Sequence, residues 1–177
     1  MPSGKTHSKL NLAVALAGGI AFAYATSPVD GGILAASAIA SDLFLSPDLD
    51  QEVSDAMRRW GPLRPIWWWY KKLAHRSPLS HWPGLADAIR LAYLGLILSV
   101  VWLVVGSFAE GFTAALLDLF RAGKWGSELI VSRPDIGIPI FAGLSLATAQ
   151  HCLADLITSE AKGAIRDWTP KTKRRKK

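Results

Sequence analysis

From Leu91 to Val105 the chain contains no charged residue. The apolar block around this run, Leu85 to Ala109, exceeds the ~20 residues a helix needs to cross ~30 Å of hydrocarbon at about 1.5 Å per residue. A soluble helix spaces its apolar residues so that one face stays polar, whereas an unbroken block needs lipid or a very large core. A chain of 177 residues is long enough for one domain or one helical bundle.

Three further blocks approach the same length: Leu10 to Thr26, Gly31 to Pro47 and Ile136 to Thr158. The first two are rich in small residues (Ala13, Ala15, Gly18 and Gly19; Gly31, Gly32, Ala35 and Ala38), the composition that lets helices approach closely in lipid, so they read as a packed hairpin. Ser27-Pro28-Val29-Asp30 has the turn chemistry to join them. Between the third and fourth blocks, Phe112, Ala115, Leu116, Leu119 and Phe120 repeat at helical spacing opposite Asp118 and Arg121. This is the pattern of a helix lying on the membrane surface or of a short buried loop helix. The expected fold is an all-α integral membrane bundle of about four transmembrane helices plus interfacial helices. It forms one membrane-embedded domain over residues 1–170, followed by a basic disordered tail at 171–177.

Half of the residues are apolar and 19% are charged, below the roughly 25% usual for soluble domains. The formal charge of +6 is concentrated in the loop from Arg58 to Arg76 and in the tail from Lys171 to Lys177, both beside apolar blocks. Basic residues there meet anionic headgroups, each contributing about 1 kcal/mol near the surface. The implied partners are membrane lipids and not nucleic acid. Lys5 and Lys9 precede the first block, and Lys162, Arg166 and the tail follow the fourth. The other two connections hold only Arg121, Lys124 and Arg133. An even number of spans with both termini cytoplasmic satisfies that distribution. Trp60, Trp67, Trp68, Trp69 and Tyr70, followed at once by Lys71 and Lys72, suit the headgroup level, as an anchor or as a holder of a lipid-like substrate. The amino terminus also reads as a secretory signal, because Lys5 and Lys9 precede an apolar stretch that ends in Ala23-Tyr24-Ala25. Cleavage there would remove His7.

A single cysteine, Cys152, excludes an internal disulfide and a multi-cysteine zinc site, so a metal would be held by His and carboxylates. The chain has four histidines, and this topology puts all of them on the cytoplasmic side: His7 before the first span, His75 and His81 before the third, and His151 near the inner end of the fourth. Asp48 and Asp50, in Ser46-Pro47-Asp48-Leu49-Asp50, close the second span, and Asp155 follows His151 by one helical turn on the same face. Ionisable groups in a span are costly unless they are paired or line a polar cavity. Imidazole and carboxylate together suit a divalent cation, zinc or manganese first, and a catalytic ion keeps a position open for water. Plainer roles exist for each: a hydrogen-bonded pair for His151 and Asp155, a solvated helix end for Asp48 and Asp50, and loop histidines for His75 and His81. Asp42 is a partner of the ligands or an interfacial residue, and Cys152 reads as a small core residue. Arg76 is placed to pair with a phosphate, a carboxylate or lipid headgroups.

Met1 to His7, Ser46 to Asp50, His75-Arg76-Ser77-Pro78-Leu79-Ser80-His81 and His151-Cys152-Leu153-Ala154-Asp155 together resemble the predicted metal-binding membrane proteins common in cyanobacteria. Those proteins are similar to a broader set of bacterial membrane-bound metal-dependent hydrolases. The resemblance covers nearly the whole chain, and it implies a ligand set of His7, Asp48, Asp50, His75, His81, His151 and Asp155. It also implies a bacterial inner or thylakoid membrane. Members often follow the first histidine with Asp, whereas this chain has Ser8, which removes a carboxylate from that position.

The expected function is a metal-dependent hydrolase acting on an ester or phosphoester, lipid or soluble, at the cytoplasmic face. Asp50 or Asp155 would serve as ligand or general base. The alternative is a non-catalytic metal-binding membrane protein. A carrier is disfavoured, because its charged residues should sit near the bilayer midplane and these lie towards one end.

Overall fold

Ser27 is both the end of one helix and the start of the next. Helix α1 (Gly4–Ala25) stops where Thr26 donates from its amide and hydroxyl to the Phe22 carbonyl, and α2 (Pro28–Phe44) begins with Ser27 extended at φ −148° and accepting from the Asp30 amide. Pro28 is already helical, at a first-turn position that has no amide bond to lose, and Asp30 meets the positive helix end. The connection is therefore tighter than the four-residue turn expected from sequence.

In the computed structural model the described residues are 4–72 and 78–168, apart from the side chains of 4–6, 78, 79, 129, 130 and 160–168. Among them there are helices and no strand. After α2, Pro47 breaks the helix and a 3-10 turn, Pro47–Asp50, is capped by Ser46, whose hydroxyl accepts from the Asp48 amide at 3.4 Å. Short elements follow: α3 (Asp55–Arg59), a 3-10 segment (Gly61–Trp67), α4 (Trp68–Lys72) and α5 (Pro78–His81). Three long helices complete the chain: α6 (Leu85–Glu110), α7 (Phe112–Ser132) and α8 (Pro134–Trp168). His7–Ala25, Pro28–Asp50, Leu85–Glu110 and Pro134–Ser159 are long and apolar enough to cross a membrane, matching the four blocks read from sequence. The basic tail at 171–177 lies outside the described residues.

Helices α1, α2 and α8 form the tightest unit. A Cβ on Gly31 would collide with the Gly19 carbonyl and one on Gly143 with the Leu34 carbonyl, so small side chains are what let these backbones touch. Ala15, Ala38 and Ala147 meet at the centre of this packing. Helix α6 buries only Ala86, Asp87 and Arg90, in its first two turns; further along, Leu96, Val100, Val104 and Phe108 stay exposed. Helix α7 folds back on α6, with a Cβ on Gly106 lying 2.9 Å from the Ala115 side chain. Ala115 is buried while Phe112, Leu116 and Phe120 remain exposed, so α7 is a hairpin partner of α6 with an apolar face left uncovered.

A second core lies under the aromatic loop, where Leu49, Met57, Trp67 and Tyr70 are buried with Leu45, Ile89 and Tyr93 against them. Trp67 packs edge-on to Trp60 and Tyr70 at 5.2 and 5.5 Å, and Tyr93 donates its hydroxyl to the Ile66 carbonyl. Burial pushes the Tyr70 phenol up to about 12. This core takes in Leu49, the residue between Asp48 and Asp50, and so helps fix where the two carboxylates sit.

Candidate metal centre

Four elements converge at one end of the α1, α2 and α8 unit. Helix α1 brings His7, the 3-10 turn brings Asp48 and Asp50, α5 brings His81, and α8 brings His151 and Asp155. The turn separates its residues because Leu49 is buried in the aromatic core. On one side of it, Asp48 Oδ1 lies 3.6 Å from His151 Nε2; on the other, Asp50 Oδ2 lies 4.0 Å from His81 Nδ1.

The first group is the more compact. Asp155 places one oxygen 3.2 Å from His7 Nε2 and the other 3.7 Å from His151 Nε2, as the i, i+4 spacing of His151 and Asp155 leads one to expect. The two imidazoles stack with centroids 4.3 Å apart and planes 23° apart. Ligand atoms of His7, His151 and Asp155 all fall within 4.8 Å of one another. Ligands about 2.0–2.2 Å from a tetrahedral ion are about 3.3–3.6 Å apart, and the contacts of 3.2, 3.6 and 3.7 Å straddle that spacing.

A metal also answers the hydrogen-bond question this geometry raises. His7 and His151 are buried, and His151 Nδ1 and Nε2 and His7 Nδ1 have no hydrogen-bond partner among the described residues. Buried polar atoms left without partners cost roughly 1–3 kcal/mol each. A cation among the imidazole nitrogens and the Asp48 and Asp155 oxygens would remove part of that penalty, so the residues fit the group. Gln51 donates to Asp48 Oδ1 at 2.6 Å and holds the carboxylate in place.

Beside this group, His81 has Ser80 Oγ 2.8 Å from its Nδ1, and its carbonyl accepts from Cys152 Sγ at 3.0 Å. Cys152, expected as a small core residue, thus ties α5 to α8. Burial holds the His81 imidazole below its ordinary value; the Asp50 carboxylate opposes this and His151 adds to it. The rings of His81 and His151 are 6.5 Å apart. His75 and Arg76 lie outside the described residues. Asp42 contributes its carbonyl to Arg59 at 3.3 Å, and Ser8 meets the same guanidinium at 3.4 Å. The position after the first histidine therefore faces the α3 arginine.

Two features escaped the sequence reading. Asp87, Arg90 and Thr148 form a closed network with almost no exposure: Arg90 Nη2 donates to Asp87 at 2.7 Å and to Thr148 at 2.8 Å, Thr148 donates to Asp87 at 2.7 Å, and Arg90 Nη1 donates to the Leu45 carbonyl. It locks α6 to α8 and to the end of α2 immediately before the carboxylate turn. The signal was Asp87 and Arg90 at i, i+3 in a helix start, which reads equally as a surface pair. The second feature is a set of buried polar side chains on the three helices α1, α2 and α8. Asn11 donates to the Ala38 carbonyl at 3.1 Å, while Asn11 Oδ1, Ser41 Oγ and the Gln150 amide are buried without a partner among the described residues.

No curated protein and no solved structure matches the chain. A family model does match, over residues 2–164, which takes in every residue of the cluster described above. The chain belongs to the family described as uncharacterized metal-binding protein (DUF2227).

Proposed function

We propose that the chain is a membrane-spanning, metal-dependent hydrolase whose site faces the cytoplasm. The four apolar helices are its spans, and the distribution of Lys and Arg puts both termini inside. His7, Asp48, His151 and Asp155 hold the first ion, zinc or manganese. Asp50 and His81 form the neighbouring half of the site, and His75 stays a ligand candidate on sequence grounds alone. The observation that carries this reading is the access of the cluster. His7 and His151 are buried, yet the side chains of Asp48, Asp155 and His81 keep 23%, 17% and 20% of their surface. A purely structural ion is closed off by four protein ligands, whereas a catalytic one keeps an open side.

When bound, the ion supplies Lewis-acid chemistry, polarising an ester or phosphoryl oxygen and acidifying water. The chain's own residues do the rest. Asp155 spans both imidazoles and fixes their spacing. Asp50 lies against His81, its Oδ2 4.0 Å from Nδ1, and would take a proton from water, with the partly exposed His81 passing it to the surface. Lys71 and Lys72 lie on the same loop and favour an anionic substrate.

The test is metal content by mass spectrometry on the detergent-purified protein, beside His151→Ala and His75→Ala, followed by a panel of esters and phosphoesters. Near-stoichiometric metal that both variants lose, with hydrolysis that Asp50→Asn abolishes while keeping the metal, is the expected result. A loaded protein that cleaves nothing in the panel favours the ion as a clamp between helices and loop. If no metal binds even after reconstitution, the histidines are structural.

A further inference from the structure

On the outer side of the aromatic loop, a groove of about 670 Å³ opens between Glu52 and Lys71, a volume within the roughly 300–1,000 Å³ usual for ligand sites. Met57, Pro62, Pro65 and Trp68 supply apolar wall, and Arg64 and Lys71 outnumber the single acid, Glu52. We propose that this groove binds the phosphate headgroup of an anionic membrane lipid.

Three observations converge on that occupant. First, the cations are arranged for an oxyanion. Among the described residues the Arg64 side chain makes only the bond from Nε to the Gly61 carbonyl, at 3.0 Å, which orients the guanidinium and leaves its terminal nitrogens to donate. Second, the rim has the chemistry of the headgroup level. Trp68 and Trp69 are 52% and 60% exposed, Lys72 Nζ sits 4.0 and 4.7 Å from their ring centroids, and Leu63 and Val53 beside them are exposed. Indole and ammonium held together in this way suit the boundary between acyl chains and phosphate. Third, the groove shares a wall residue with the core that holds the carboxylate turn. Its wall residue Met57 belongs to the same buried cluster as Leu49, the residue between Asp48 and Asp50.

The inference rests on reading the apolar helices as spans, and it does not require hydrolysis. The experiment titrates short-chain phosphatidic acid into the detergent-solubilised, chelator-treated protein and reads bound lipid by native mass spectrometry. Wild type is compared with the double variant R64Q/K71Q and with R121Q, whose arginine lies on exposed α7. Saturable binding that weakens tenfold or more in R64Q/K71Q, is unchanged in R121Q and falls with added salt is the expected result. Among the described residues Arg64 bonds only within its own turn, so the double variant should melt within a few degrees of wild type. Equal affinity in R64Q/K71Q would overturn the proposal. So would competition by inorganic phosphate as strong as that by the lipid, which makes this a free-phosphate site, or equally tight binding of neutral diacylglycerol. Because the metal is chelated throughout, these outcomes are independent of metal content. Failure of the spanning reading shows separately, as protein that stays soluble without detergent.

Discussion

Arg90 holds Asp87 at 2.7 Å in a place where the two side chains keep 0% and 1% of their surface. A buried ion pair gains little over an apolar pair of the same volume, because desolvation offsets the attraction; breaking it by removing one partner is costly, about 3–5 kcal/mol. Here the pair also serves Thr148 and the Leu45 carbonyl, so it joins three helices beside the carboxylate turn.

Arg90→Ala should therefore destabilise the protein by about 3–5 kcal/mol, while the paired replacement Asp87→Leu with Arg90→Met should cost much less. Thermal unfolding in detergent, followed by tryptophan fluorescence, measures both. If the double variant melts as low as Arg90→Ala, the network acts through its hydrogen bonds to Leu45 and Thr148 and not through charge compensation.

The long elements were legible in the sequence because an apolar block carries its own signal. Both limits of α2 and α6 and the end of α1 fall within three residues of the blocks, while α1 starts six residues earlier, and Ser27 with Pro28 marked the join. The grouping of His7 with His151 and Asp155 was legible too, since His151 and Asp155 lie one turn apart and His7 stands just before the first apolar block. The Asp87, Arg90 and Thr148 network was hidden because its third member is far away in the chain and a threonine in an apolar helix has no distinguishing pattern. The separation of Asp48 from Asp50 depends on Leu49 entering a core built by Met57, Trp67 and Tyr70. That contact is tertiary and leaves no periodic trace. The same holds for Asn11, Ser41 and Gln150, which as single polar residues in apolar helices read as ordinary interhelical bonding groups.

Backbone contact between α2 and α8 gives a second prediction. A Cβ on Gly143 would meet the Leu34 carbonyl and lie 2.9 Å from Ser37 Cβ and 3.0 Å from the Ala38 amide, whereas one on Gly32 meets nothing within 4 Å. Gly143→Val should push α8 away from α2. Asp48 follows the end of α2 and His151 rides on α8, so this variant should lose metal as well as melting temperature. Gly32→Ala should keep the metal and gain up to about 1 kcal/mol from helix propensity. Metal content and unfolding measured on the same preparations check both; a Gly143→Val protein with full metal would show that the helix contact does not set the ligand spacing.

The third prediction concerns acid. Burial lowers the His81 imidazole from 6.5, against the pull of the Asp50 carboxylate. The fold thus favours neutral His81, while the unfolded chain protonates it near 6.5. Above that pH neither state holds the proton and the contribution of His81 is intact. As pH falls from 6.5 through the lower folded value, the unfolded chain takes up a proton that the fold resists, and stability is lost. In chelator-treated protein the melting temperature should fall more steeply as pH drops below about 6.5 in wild type than in His81→Gln, and the two curves should run parallel above that pH. A His81→Gln curve as steep as wild type would show that His81 is not the source of the acid sensitivity.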